Sequence, residues 1–355
     1  MLRVRAISAA ISEITYDRYW PNRDGRLELL ESFPDDPKRS LIRPRQLLQE
    51  LEIGGSNMQI AVIGATGNTG SVVAELALEN GHDLRAVVRN PDAGENLALR
   101  GAEIVTADLD DHVDISSALT GVDAVYYCSP LPVGYDKPFT VERSRGRNLI
   151  DAAQSAEIKH FVLLSAMGPE TAPGVALIES KRSIEGDLAT SGLEYTILRP
   201  SMFMDNVAMA GPDALLGIGL TWPFSESALI QPIAVADIAQ IAFQAMTSGP
   251  RNRSFDLVGP EALTFPQIAN ELGRAMGSEV RFIAISDEVF IEHAGAAIGS
   301  TKVAEAIAGA YRLWERDGSG TGDASILEHE FDVSLTRFQD YAAKLVETWK
   351  RESMI

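Results

Sequence analysis

Residues 59–70 read Gln59-Ile60-Ala61-Val62-Ile63-Gly64-Ala65-Thr66-Gly67-Asn68-Thr69-Gly70. A short apolar run passes directly into glycines spaced three apart, and an amphipathic helix over 69–79 opens at the last of them, closed by Asn80-Gly81. Each glycine has a separate physical task. Gly64 can take the tight turn out of the strand, Gly67 lets a phosphate approach the backbone, and Gly70 lets the helix pack close to the strand. The first turn of a helix carries N–H groups with no partner inside the helix, and these suit an anion. A strand, a glycine loop and a helix in this order predict a dinucleotide site, with Gly64, Thr66, Gly67, Asn68, Thr69 and Gly70 as its candidate contacts.

Outward from this loop, strand and helix patterns alternate. Short buried strands are expected at 59–63, 84–88, 103–107, 124–128, 160–165 and 195–198, with helices at 114–119, 141–156 and 178–190 between them. This rhythm predicts an α/β fold of Rossmann type, a doubly wound parallel sheet with helices on both faces. After Pro200 the rhythm loosens. Helices are expected at 235–246 and 265–277, strands at 254–257 and 280–285, a long Ala-rich helical region at 288–314 and a closing helix at 335–351. The division predicted is a cofactor-binding core over 58–200 and a smaller C-terminal α/β lobe over 201–355 on the substrate side, some of whose elements return to the core.

The end of the second strand lies about twenty residues past the loop, where an NAD-selective site places Asp or Glu to accept from the ribose 2′-hydroxyl. Here the residues are Val87-Val88-Arg89-Asn90. Arg89 suits a 2′-phosphate that a carboxylate would repel, so NADP(H) is the expected cofactor and NAD(H) the second choice. After the third strand, Asp108 has two readings, an acceptor for the adenine amino group with Leu109 on the ring, or a helix cap.

The 355-residue chain has a formal net charge of −19, which repels nucleic acid at long range and argues against binding it. No apolar run is long enough to span a bilayer, so no membrane role is expected. The single cysteine, Cys128, excludes an intrachain disulfide, and the five histidines are scattered at no metal-ligand spacing, so no metal is expected. A cytoplasmic protein is anticipated. Residues 1–57 stand apart: Trp20-Pro21-Asn22-Arg23-Asp24-Gly25 and Pro34-Asp35-Asp36-Pro37 break any periodicity, and only 43–51 suits a short helix. Two readings are open for this stretch. Met58 is the native start and 1–57 an extension of the reading frame, or 1–57 is a disordered or partner-binding arm.

At Gly64–Gly70, Val88-Arg89, Ala107-Asp108, Leu164-Ser165-Ala166, Lys181, Tyr195-Thr196-Ile197-Leu198-Arg199-Pro200 and Gly259-Pro260-Glu261-Ala262-Leu263-Thr264, the sequence resembles the NmrA-like group of atypical short-chain dehydrogenase/reductases. The resemblance extends over most of 58–355 and has no counterpart for 1–57. It implies a Rossmann domain with a small C-terminal lobe and NADP(H) in the cleft between them. The group holds quinone and other NAD(P)H reductases, and also redox-sensing regulators that bind the cofactor without turnover.

Typical short-chain enzymes use a Ser, a Tyr that donates the proton, and a Lys four residues later that lowers the Tyr pKa and holds the nicotinamide ribose. Ser165 suits the Ser place and Lys181 the Lys place, so these two are the catalytic candidates. The Tyr place falls on Leu177, and no tyrosine lies between Ser165 and Lys181. Lys181 then either holds the ribose hydroxyls, or acts as the acid itself if burial lowers its pKa; Arg182 beside it reads as the solvated neighbour. Pro200 is a further cofactor contact. Met202, Phe203 and Trp222, with Phe224, are the expected pocket wall, and Cys128 is read as packing.

Two functions fit. One is an NAD(P)H-dependent reductase of a small-molecule electrophile such as a quinone, whose reduced product takes protons without a dedicated tyrosine. The other is a non-catalytic NADP(H) sensor acting through a protein partner. A sugar-nucleotide epimerase-like enzyme fits less well, because the tyrosine is missing. Oligomeric state is not legible.

Overall fold

In the computed structural model of the protein, residues 57–209, 217 and 219–351 are described. The expectations for 1–56, including the short helix at 43–51, lie outside the described residues. The described residues from Met58 onward belong to one compact unit.

Eleven strands occur among the described residues. They are β1 (Gln59–Ile63), β2 (Asp83–Val88), β3 (Glu103–Thr106), β4 (Ala124–Cys128), β5 (His160–Leu164), β6 (Tyr195–Pro200), β7 (Leu220–Trp222), β8 (Leu229–Ile230), β9 (Ser254–Leu257), β10 (Leu263–Thr264) and β11 (Phe282–Ala284). Seven form one parallel sheet in the order β3-β2-β1-β4-β5-β6-β9. The chain winds outward from β1 to β3, then crosses back to β4 on the other side of β1. That reversal opens a crevice at the C-terminal ends of β1 and β4, where ligands of such sheets sit.

The strands are apolar on both faces because both faces are covered. Ile60 and Val62 point into one cluster with the Asn68–Glu79 and Val235–Ser248 helices, through Val73, Ile238 and Ala242. Ala61 and Ile63 point into the opposite cluster, with Ile115, Leu149 and Ile184 from the His112–Leu119, Pro138–Ser155 and Ala176–Thr190 helices. β9 comes from beyond residue 200 and pairs with β6 from Ile197–Ser254 to Pro200–Leu257, so the chain returns to the core.

The long Ala-rich region is two helices, Asp287–Ile298 and Thr301–Asp317. Gly299 takes φ +80° between them, and the Ser300 hydroxyl accepts from the Val303 amide to cap the second. A helix at Ser325–Phe331 carries Phe331 against Phe255 of β9, ring centroids 4.9 Å apart. β7 pairs in parallel with β11, and β8 antiparallel with β10. Among the described residues, no helix is long and apolar enough to cross a membrane.

Candidate functional site: a glycine loop and two buried ionic groups

The loop after β1 is shaped by its backbone. Gly64 has φ +79°, a region costly for a side chain, and its amide donates to Val87 O (3.1 Å) at the end of β2. The Gly67 amide returns to Gly64 O (2.9 Å), closing the turn. A Cβ at Gly70 would lie 2.2 Å from Gly64 O, so the helix can approach the strand this closely only without one. A Cβ at Gly64 would meet Cys128 O at 3.7 Å, which sets the loop against the end of β4, at the crevice. The Asn68–Glu79 helix starts on Gly67, which has no side chain with which to cap the first-turn amides. Thr66, Gly67 and Asn68 are exposed. Thr69 is turned inward, its Oγ1 accepting from the buried Tyr126 hydroxyl (2.9 Å). What Thr69 offers a ligand is therefore its amide.

Arg89, directly after β2, is exposed and makes no hydrogen bond or ion pair with another described residue. Asp108 is exposed, and its Oδ1 accepts from the Asp110 amide (2.9 Å). The His112–Leu119 helix is capped instead by Asp111, which accepts from Val113 N (2.8 Å) and Asp114 N (3.2 Å). The capping alternative for Asp108 is thus replaced by a local turn. Leu109 is not laid open for an adenine ring: it is buried with Ile115 and Leu149 beneath the sheet.

Ser165 and Lys181 sit in two separate buried groups. Lys181 is 7 % exposed, and its Nζ donates to Ser129 Oγ (2.6 Å) and pairs with Glu142 Oε1 (2.9 Å). Ser129 in turn donates to Glu142. Burial pulls the Lys181 pKa down, but Glu142 and then Cys128 and Glu185 push it up, and the result lies above the ordinary lysine value. This corrects the expectation of a lysine acid with a lowered pKa, because a buried carboxylate that the sequence did not reveal lies beside it. Burial likewise raises the Glu142 carboxyl, yet Lys181 and Ser129 hold it below its usual range. The Cys128 thiol is raised, chiefly by burial, and stays protonated at neutral pH.

Ser165, at the end of β5, donates to Glu185. Glu185 also receives Arg199 Nη2 (2.5 Å) and Arg182 Nη1 (2.7 Å). Arg182 further donates to Gly168 O (2.6 Å) and Ala166 O (3.1 Å), which corrects its reading as a solvated residue. Its guanidinium holds the loop after β5. Leu177, in the place a tyrosine would take, packs against Ile178, Ala310 and Leu313, the last two from the Thr301–Asp317 helix.

Pro200 ends β6 and its carbonyl accepts from Met167 N (2.9 Å). Met202 is buried and Phe203 half-buried, bridged to Ile233. Trp222 lies inside an aromatic cluster, stacked on Phe265 at 5.8 Å, with Phe290 and Tyr311 beside it; Phe224 stacks on Phe265 at 5.1 Å. Glu142 and Glu185 are the residues sequence reasoning missed. Each lies on an amphipathic helix, where an acidic residue reads as part of the solvated face. Only its seat could mark it, Glu142 against the Ala176–Thr190 helix and Glu185 against β6 and the end of β5, and that is a tertiary fact.

The profile of the NmrA-like family matches residues 56–345. The chain belongs to the NmrA-like family. This NmrA-like chain is 31 % identical to the NAD(P)H azoreductase of Xenophilus azovorans over 230 residues, which is 64 % of this chain and 78 % of that protein. It is also 31 % identical to quinone oxidoreductase 2 of Escherichia coli over 234 residues, 65 % and 79 % of the two. Among solved structures, the NADPH complex of the E. coli NADPH-dependent quinone oxidoreductase QOR2 superposes with a TM-score of 0.70 at 27 % identity, over 81 % of this NmrA-like chain and 99 % of that one.

Proposed function

We propose that this chain is an NAD(P)H-dependent reductase that takes NADP(H) in preference to NAD(H) and delivers hydride to a quinone or a similar small electrophile. The observation that carries the reading is the crevice itself. A glycine loop with uncapped amides faces the C-terminal end of β4, where Lys181 is held as a cation, and the tyrosine place is filled by a leucine packed into the lobe. The loop fits a dinucleotide, because Gly70 allows an approach that any Cβ would block and Gly67 leaves the helix N-terminus open to a pyrophosphate. Similarity to an azoreductase and a quinone reductase supports an electron-poor acceptor as the substrate class.

The bound cofactor would supply the hydride. The chain's residues do the rest. Residues 58–200, with β9 and the Val235–Ser248 and Ser325–Phe331 helices that return to the sheet, hold the cofactor, and 201–355 is otherwise mainly the substrate-side lobe. Gly64, Thr66, Gly67, Asn68, Thr69 and Gly70 seat the pyrophosphate. Arg89 faces the 2′-phosphate, Asp108 the adenine, and Pro200 borders the nicotinamide. Lys181 holds the ribose, while Ser165, bonded to Glu185, fixes the end of β5. Phe203 is the best-placed wall for the acceptor, with Met202 behind it and Trp222 supporting the lobe. A reduced quinone can take its protons from water, so the absence of a tyrosine is no obstacle. A cytoplasmic setting, where reduced nicotinamide is at hand, completes the reading.

The test is to follow NADPH oxidation in a panel of quinones, with NADH in parallel. Quinone-dependent turnover is expected. Tight NADPH binding without turnover on any acceptor would overturn the reductase and leave the sensor. In the same assay Arg89→Ala is expected to lower the NADPH-to-NADH affinity ratio by about ten- to a hundredfold, the worth of one charge-assisted pair. An unchanged ratio would remove Arg89 from the site.

A further inference from the structure

We propose that Glu142 is a positioning residue that fixes Lys181 as an aimed, permanently charged ammonium at the crevice, so that Lys181 serves there as a cation and hydrogen-bond donor and takes no part in proton transfer. This inference rests on the reading of the crevice as a nicotinamide cofactor site.

The geometry starts from a small residue. Gly146 of the Pro138–Ser155 helix faces Ile184 of the Ala176–Thr190 helix so closely that a Cβ would lie 2.8 Å from Ile184 Cγ1. One turn back along each helix from this contact stand Glu142, four residues before Gly146, and Lys181, three before Ile184. The close crossing therefore brings the two side chains together. Both are buried, Glu142 at 2 % exposure, and Ser129 from the end of β4 joins them. An ammonium has three donors. Two are spent on Ser129 and Glu142, and no other described residue takes the third.

A buried ion pair is costly to desolvate and often no more stabilising than an apolar pair, so it calls for a use. Removing one partner leaves the other charge uncompensated, and a buried lysine answers by losing its proton. The groups facing Lys181 are few. Cys128 is held protonated by burial, and the Glu185 charge is shared by Arg182 and Arg199. Tyr127, which faces Glu142, is pushed far up by burial and remains neutral. Glu142 is therefore the principal counter-charge, and without it burial dominates at Lys181.

The experiment compares wild type with Glu142→Gln by two readouts. The first needs no cofactor: acylation of Lys181 by acetic anhydride, read by peptide mass spectrometry across pH, since only the neutral amine reacts. The reactivity midpoint in Glu142→Gln is expected to fall by at least about two pH units. The second is NADPH affinity by nicotinamide fluorescence. The variant is expected to lose at least about tenfold in affinity between about pH 7 and about pH 9, while wild type changes less than about twofold. Glu142→Asp, which keeps the charge, is expected to return both profiles towards wild type. If Glu142→Gln does not fold, Glu142→Met, similar in volume and uncharged, carries the same comparison. An unchanged acylation midpoint in a folded, uncharged variant overturns the proposal. Wild type that fails to bind NADPH overturns the cofactor reading instead, and the acylation midpoints still decide the role of Glu142.

Discussion

Gly70→Ala is expected to destabilise the protein by about 3 kcal/mol or more and to abolish NADPH binding. In an ordinary helix the same change would help, since alanine is favoured over glycine by about 1 kcal/mol. Here the added Cβ would lie 2.2 Å from Gly64 O, 2.9 Å from Gly64 C and 3.4 Å from Ala65 Cα. All three are backbone atoms of a turn bonded to β2 through Val87 O, so no side chain can rotate aside. Relief requires the helix to lift from β1, which opens the cluster around Val73 and displaces the amides at the crevice. Gly186→Ala is the internal control. Gly186 is exposed in the Ala176–Thr190 helix with nothing within 4 Å of its Cβ position, and a gain of about 0.5–1 kcal/mol is expected. Urea melts of the two variants check the pair. Equal effects would mean that helix propensity, and not the strand contact, governs both positions.

The second large effect is expected at Glu185. Glu185→Leu should cost about 3–5 kcal/mol, because it leaves buried guanidinium charge without its carboxylate. Arg199 presents Nε and Nη2 to the Glu185 carboxylate and Arg182 presents Nη1. Burial lowers the Arg182 pKa, whereas the bonds to Glu185 and Glu170 outweigh burial at Arg199 and raise it. Ser165 would lose its acceptor in the same variant, loosening the end of β5. Glu170 also pairs with Arg199, at 2.7 Å, but its side chain is 76 % exposed. Glu170→Ala is therefore expected to cost no more than about 1 kcal/mol. Denaturant titration of both separates a buried charge cluster from a surface pair. A loss at Glu185 no larger than that at Glu170 would show that water reaches the cluster.

Two ionic groups, rather than one catalytic pair, surround the crevice, and this changes how Ser165 and Lys181 are read. In the usual arrangement a serine and a lysine flank one tyrosine. Here Leu177 occupies that place and each flanking residue has acquired a carboxylate of its own, Glu185 for Ser165 and Glu142 for Lys181. Both carboxylates hold their partners in charged hydrogen bonds, and the proposed reduction suits this arrangement, because its acceptor would need no proton from the protein.

The sheet and the loop follow from local sequence signals. The unbroken apolar run of β1, glycines three apart and the strand–helix rhythm are local signals, legible because each depends only on neighbours along the chain. They located six of the seven parallel strands, and the seventh, 254–257, was legible as a strand without its place in the order. The type of residue after β2 was legible for the same reason. Which charges face one another is an outcome of packing. Glu142 and Lys181 are far apart in the chain and meet because Gly146 lets two helices close on each other. Arg182 looked solvated because arginine usually is, and is half-buried because three carbonyls and Glu185 receive it. Leu109 and Trp222 went to the core for a matching reason: an apolar side chain in sequence does not say which apolar surface will cover it, and packing makes that choice.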